Sequence, residues 1–164
     1  MRDKNVLSEL KHKVPINENN FRKIISFYLL ESPVDETSYR GNTFYEKGWR
    51  GAKFATLKKK LLKTSETSLV DNYYPSKKDE LSSNFKKCEK LSSEYCVFLK
   101  HEERAVIPSL FSAIRNSFAH GSFDVRNYKG QKVYFFANYD KYLKAKIVLH
   151  EKTLLNWIKE FNSI

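Results

Sequence analysis

The pattern of apolar positions reads as a succession of helices followed by one change of period. Leu7, Leu10 and Val14 open a short helical pattern, and Asn17 stands where it can cap a second one, on which Phe21, Ile24, Ile25, Tyr28 and Leu29 share a face. Pro33 ends that helix, and residues 33–48, with Pro, Gly, Asn and several aromatics, read as a connecting loop. Phe54, Leu57 and Leu61 then line one side of a further helix, and 64–77 is rich in turn formers. Leu81, Phe85, Cys88, Ser92, Tyr95 and Leu99 recur at spacings of four and three, which predicts one long amphipathic helix. Pro108 marks a break or a new first turn, and Ile107, Leu110, Phe111, Ile114 and Phe118 cluster within about 100° of arc on another helix. Past Phe123 the period drops to two: KVYFFAN and LKAKIVLH predict two strands joined by a turn from Asn138 to Tyr142. Leu154, Leu155, Ile158 and Phe161 make EKTLLNWIKEF a closing helix. The expected fold class is mainly α, a helical bundle with a small β-hairpin near the C-terminus.

A chain of 164 residues can bury one ordinary core, so 1–164 is expected to be a single domain. Residues 1–78 supply N-terminal helices and loops, and 79–164 the motif-bearing helices, the hairpin and the last helix. No apolar run approaches the roughly 18 residues of a membrane span, and MRDKNVLSELKHKV has no signal-peptide core. The expectation is a cytoplasmic protein with no membrane partner. Cys88 and Cys96, eight apart on one predicted helix and thus separated by about 12 Å, are expected to be reduced. His12, His101, His120 and His150 stand at no metal-ligand spacing, so no metal and no cofactor are expected.

Charge changes the picture. Thirty Lys and Arg against nineteen Asp and Glu give +11, an excess that favours a polyanion, with nucleic acid the first choice of partner. Lys53, Lys59, Lys60 and Lys63 lie opposite the apolar side of their helix, either as a solvated face or as a phosphate-contacting patch. Tyr73 and Tyr74 either stack on bases or pack on the surface.

The segment IRNSFAHGSF, residues 114–123, carries the candidate chemistry. Ser109, Ser112, Asn116 and His120 form a stripe opposite the apolar face, and Arg115 lies on its flank. Gly121 holds the favoured place for a left-handed helix stop. Arg115 and His120 stand about 140° apart on one straight helix, so a second copy related by a two-fold axis is the simplest way to complete a cleft, with Ser112, Asn116 and the 121–126 turn at the interface. Asp124, Arg126 and Tyr128, just past the motif, either line that cleft or are ordinary loop residues.

Arg115, four intervening residues and His120, with Asn116 directly after the arginine, resemble the Arg-(four to six residues)-His motif of HEPN domains, helical-bundle proteins of bacterial defence, toxin–antitoxin and RNA-processing systems. The stretch from KVYFFAN through KAKIVLHEKTLLNWIKEF is similar to the tail of abortive-infection HEPN proteins, so the resemblance covers residues from about 80 to 164. It implies a metal-independent endoribonuclease, a toxin or antiviral defence effector acting as a homodimer, with an antitoxin or defence-system protein as a possible partner. The ribose 2′-hydroxyl would attack the phosphate and leave a 2′,3′-cyclic phosphate. His120 would be the general acid or base, Arg115 would hold the phosphate, and Asn116 would orient His120 or a phosphate oxygen. Lys53, Lys59, Lys60, Lys63, Arg126 and Tyr128 would add RNA affinity. The alternative is a non-catalytic nucleic-acid- or protein-binding module using the same charge.

Overall fold

Tyr95–Leu99, YCVFL, is apolar at every position, and a run of that kind buries both of its faces inside a sheet. In the computed structural model, which describes residues 14–34, 43–63, 69–73, 77–100 and 104–163, it is a strand with its first four residues buried. Helix α1 (Asn19–Ile25) continues as a π-helical segment, Ser26–Glu31, and α2 spans Lys53–Lys63. Strand β1 (Leu69–Tyr73) precedes α3 (Lys78–Asn84), which tightens into a 3₁₀ turn over Phe85–Cys88. Strand β2 (Tyr95–Leu99), α4 (Val106–Ala119), β3 (Phe123–Tyr128), β4 (Gln131–Tyr139), β5 (Leu143–His150) and α5 (Glu151–Asn162) follow. The predicted helix around Leu7 and Leu10, and Tyr74, lie outside the described residues.

The five strands form one sheet in the order β1-β2-β5-β4-β3, antiparallel except for the parallel pair β1–β2 at its edge. The fold is therefore α+β around a sheet, and the expectation of a mainly α helical bundle with a small hairpin is overturned. Two local misreadings account for it. The apolar spacing from Leu81 to Leu99 reads as one helix, but Ser92 is exposed in a turn and the sequence beyond it becomes β2. In β3, Asp124 and Asn127 are poor strand formers and hide an alternation in which Phe123 and Val125 face the main core. The two-residue turn Lys129–Gly130, with φ of +48° and +79°, joins β3 to β4 as a tight hairpin. The predicted strands β4 and β5 and the closing helix are present. Glu18, one residue after Asn17, takes the cap position of α1.

One face of the sheet, through Cys96, Phe98, Tyr134, Phe136, Ala145, Ile147 and Leu149, joins the core built with α1, α2, α4 and α5. The opposite face, through Tyr95, Val97, Val133, Phe135 and Val148, is covered by Leu81 of α3 and Cys88 of its 3₁₀ turn. Phe111 of α4 sits among Phe27, Tyr28, Phe44 and Trp157, with ring centroids between 5.3 and 6.4 Å away. The polar ends of the large rings are satisfied: Tyr28 donates to the Leu154 carbonyl at 2.8 Å and Trp157 Nε1 to that of Leu61 at 3.2 Å. These two bonds tie α5 to α1 and α2. Burial pushes the Tyr28 hydroxyl and the Cys96 thiol well above their ordinary pKa values, and neither cysteine is in a disulfide.

Phe111→Ala is expected to cost about 3–5 kcal/mol in urea unfolding, the range for emptying a packed aromatic site. Leu30→Ala, at a residue 63% exposed, should stay within about 0.5 kcal/mol of the parent. Equal losses at both positions would contradict this core.

Candidate functional site

Helix α4 lies between the sheet and the outer helices, which explains why more of it is buried than its apolar stripe requires. Ile107, Leu110, Phe111, Ile114 and Phe118 are buried as expected, but so are Ser109, Ser112 and Ser117. The Ser109 and Ser117 hydroxyls donate back to the carbonyls of Ala105 and Ala113 at 3.0 and 2.8 Å, which satisfies them without water. Ser112 Oγ accepts from Arg104 Nη1 at 3.0 Å. The polar stripe is thus internal over most of its length, and Ser112 is removed from the expected dimer interface. It reaches the surface at Asn116, partly buried, and His120, exposed.

The helix stops as its sequence predicts. Gly121 adopts φ +66°, its N–H donates to the Phe118 carbonyl at 3.1 Å, and the Ser122 N–H donates to that of Ser117 at 2.8 Å. Ser122 then accepts from the Ala137 N–H at 2.9 Å, so the end of α4 is fastened to β4. His120 keeps its own N–H on the Asn116 carbonyl at 3.0 Å. Its imidazole is therefore presented from a fixed backbone.

Arg115 is partly buried, and its Nη1 donates to Asn116 Oδ1 at 2.9 Å. Neighbouring residues on a helix usually diverge, so this contact bends the guanidinium toward the amide. Asn116 thus holds Arg115, not His120. Arg115 Nε is buried with no acceptor, and no carboxylate among the described residues pairs with the guanidinium. A buried N–H without an acceptor is costly, and the partly exposed guanidinium keeps a charge that no carboxylate among the described residues offsets. Nothing among the described residues joins Arg115 to His120 directly, in keeping with their separation around the helix.

The β4–β5 turn holds Asp140, on which His120 acts electrostatically. Lys144, which bonds Asp140 at 3.0 Å, followed by Lys141 and His120, holds the Asp140 carboxyl below its ordinary value. Tyr142 lies between two ammonium groups, with Lys78 Nζ 4.2 Å and Lys144 Nζ 5.8 Å from its ring centre. This cluster was not found by sequence reasoning, although DKYLK, residues 140–144, carries the interleaved basic and aromatic pattern that marks it.

The remaining candidates are dispersed. Lys53, Lys59, Lys60 and Lys63 are exposed on α2, and Lys60 pairs with Glu160 at 3.1 Å. Arg126 and Tyr128 are strand residues rather than loop residues, and they project from the sheet face opposite α4. Arg126 bonds the buried Asp124 at 2.8 Å and lies over the Phe135 ring at 4.9 Å. Tyr128 packs against the second core cluster. Neither lines a cleft with His120. No family model, no curated protein and no solved structure matches this chain. The chemistry of the site therefore rests on its own geometry. Among the described residues, no helix is long and apolar enough to cross a membrane.

Gly121→Ala is expected to destabilise the protein by about 1 kcal/mol, because the added Cβ meets nothing within 4 Å while the backbone remains left-handed. Gly121→Asn should lose less, since asparagine tolerates that conformation. Urea titrations of both variants give the comparison, and an unchanged Gly121→Ala protein would rule out the left-handed stop as a stabilising feature.

Proposed function

We propose that the chain is a metal-independent endoribonuclease in which Arg115 holds the scissile phosphate and His120 moves protons. The observation that carries this reading is the Arg115 guanidinium, steered by Asn116, partly buried, and left with an N–H that has no acceptor. A planar cation in that state suits two phosphate oxygens and the charge that builds on them in a pentacovalent transition state. In the reaction a base takes the 2′-hydroxyl proton, O2′ bonds to phosphorus, and the P–O5′ bond breaks. The leaving O5′ gains a proton, giving a 2′,3′-cyclic phosphate and a 5′-hydroxyl. His120 supplies one of the two proton transfers, since imidazole both gives and accepts protons near neutral pH. The segment IRNSFAHGSF supports the same assignment through its residue types and spacing alone, because the sheet-centred fold is not the helical bundle of the family it resembles. It also supports a cytoplasmic toxin or defence effector controlled by an antitoxin or a defence-system protein.

The separation of Arg115 and His120 around α4 favours a homodimer whose two motifs face one groove. Asn116 and the Gly121–Ser122 turn stand at the accessible end of the helix. A second reading, a binding module that cleaves nothing, is favoured by Lys78 and Lys144 around Tyr142, cations that can neutralise phosphates without chemistry.

The two readings separate on one assay. Purified protein should cleave single-stranded RNA in excess EDTA, leaving cyclic phosphate ends. His120→Ala should lower the rate by about 10²- to 10⁴-fold with RNA affinity nearly intact. Arg115→Lys should also be impaired, because a point charge cannot reproduce the planar grip. RNA bound but never cut selects the binding module, whereas full activity in His120→Ala removes His120 from the mechanism.

For the assembly, light scattering should give twice the mass of the chain, and a structure should show both His120 side chains opening into one groove. A strict monomer that still cleaves RNA would remove the two-fold site from the mechanism.

A further inference from the structure

At the end of α4 away from His120 the chain forms a pocket of about 300 Å³, at the lower end of the range of about 300–1,000 Å³ typical of small-molecule sites. The 14 residues of α4 span about 20 Å, so this pocket and the Arg115–His120 region are separate places. Phe44, Tyr45, Trp49 and Phe54 supply aromatic walls, and Arg50 and Arg104 supply charge. We propose that it is a nucleotide site, taking a planar base against the aromatic walls and a phosphate between the arginines and the first turn of α4.

Three features point to that chemistry. The first turn of α4 has no side-chain cap at Ala105 and contains no acidic residue, and Ala105 and Pro108 line the pocket, so the positive helix end borders it without a carboxylate of its own first turn. Arg50 lies over the Tyr45 ring with its guanidinium carbon 3.6 Å from the centre, and Arg104 is braced by its bond to Ser112. Both cations are therefore positioned before a ligand arrives. Trp49, one of the walls, has a buried indole N–H without an acceptor, an unsatisfied polar group in the wall of the pocket.

The walls are also braced. Thr43 Oγ1 donates to Glu46 Oε2 at 2.8 Å and accepts from the Glu46 N–H at 3.0 Å. Phe44 and Trp49 are held by backbone bonds from the Phe44 N–H to the Pro33 carbonyl at 2.8 Å and from the Trp49 N–H to the Phe44 carbonyl at 2.9 Å. Four aromatic residues kept around an open volume, together with two arginines, suit a flat anionic ligand better than an apolar one. The site does not depend on the Arg115–His120 chemistry, and either could exist without the other.

The test uses the full chain, isothermal titration and tryptophan emission. AMP should bind, and it should quench Trp49 in the wild type. Trp157 is fully buried, so the quench should vanish in Trp49→Phe. Adenosine and inorganic phosphate should each bind at least tenfold more weakly than AMP. Arg50→Ala, at an exposed residue whose loss should spare the fold, should weaken AMP at least tenfold, as should Arg104→Ala. A 5′-phosphorylated 2′-O-methyl oligonucleotide, which cannot be cut by 2′-hydroxyl attack, distinguishes the source of the nucleotide. Binding at least as tight as AMP assigns the pocket to the end of a strand, and weaker binding assigns it to a free nucleotide. The proposal fails if millimolar AMP produces neither heat nor quench, if adenosine or phosphate alone matches AMP, or if both arginine variants bind as the wild type does.

Discussion

Phe111 is surrounded by rings from the π-helical end of α1, the turn after residue 43 and α5, and this aromatic packing keeps α4 between the sheet and the outer helices. Five large rings in contact remove a great deal of apolar surface from water. Their edge-to-face and stacked geometries also fix the angle at which the elements meet. The consequence reaches both ends of α4. With its middle enclosed on all sides, the helix offers chemistry only where it enters and leaves the core.

At the leaving end, the left-handed Gly121 and the Ser122–Ala137 bond hold the backbone of His120, whose charge acts on Asp140 of the β4–β5 turn. At the entering end, an uncapped first turn meets Arg104 and the aromatic pocket. The serines between carry no surface role. Their hydroxyls are taken up by backbone carbonyls or by Arg104, so a helix with a polar stripe can be buried without stranded donors. Exposed lysines stand on α2, and part of the positive charge is spent internally, as at Arg126 with Asp124 and Phe135.

What could be read from the sequence was local. The period of two gave β4 and β5, the 3.6 period gave α2, α4 and α5, and the glycine after His120 gave the helix stop with its left-handed backbone. These follow from side-chain spacing and the steric freedom of one residue, which act within a few positions. Arg115, Asn116 and His120 were singled out as residue types at one address, and the structure does put them on the last turns of one helix.

Sheet membership was decided only in three dimensions. YCVFL fits the apolar spacing of a helix, and it becomes a strand because β5 and β1 offer hydrogen bonds on both of its edges, partners that lie far away in the chain. FDVRNY becomes β3 because the Lys129–Gly130 turn folds it onto β4, where Asp124 can be buried against Arg126. Tertiary contact also turned Ser109 and Ser112 inward and brought Lys78 of α3 over the ring of Tyr142, with Lys144 nearby. The physical reason is the same throughout. Periodicity records which residues avoid water, whereas the partner that shields them, and hence whether a polar group ends in the core or at a site, is set by the elements that pack on each face.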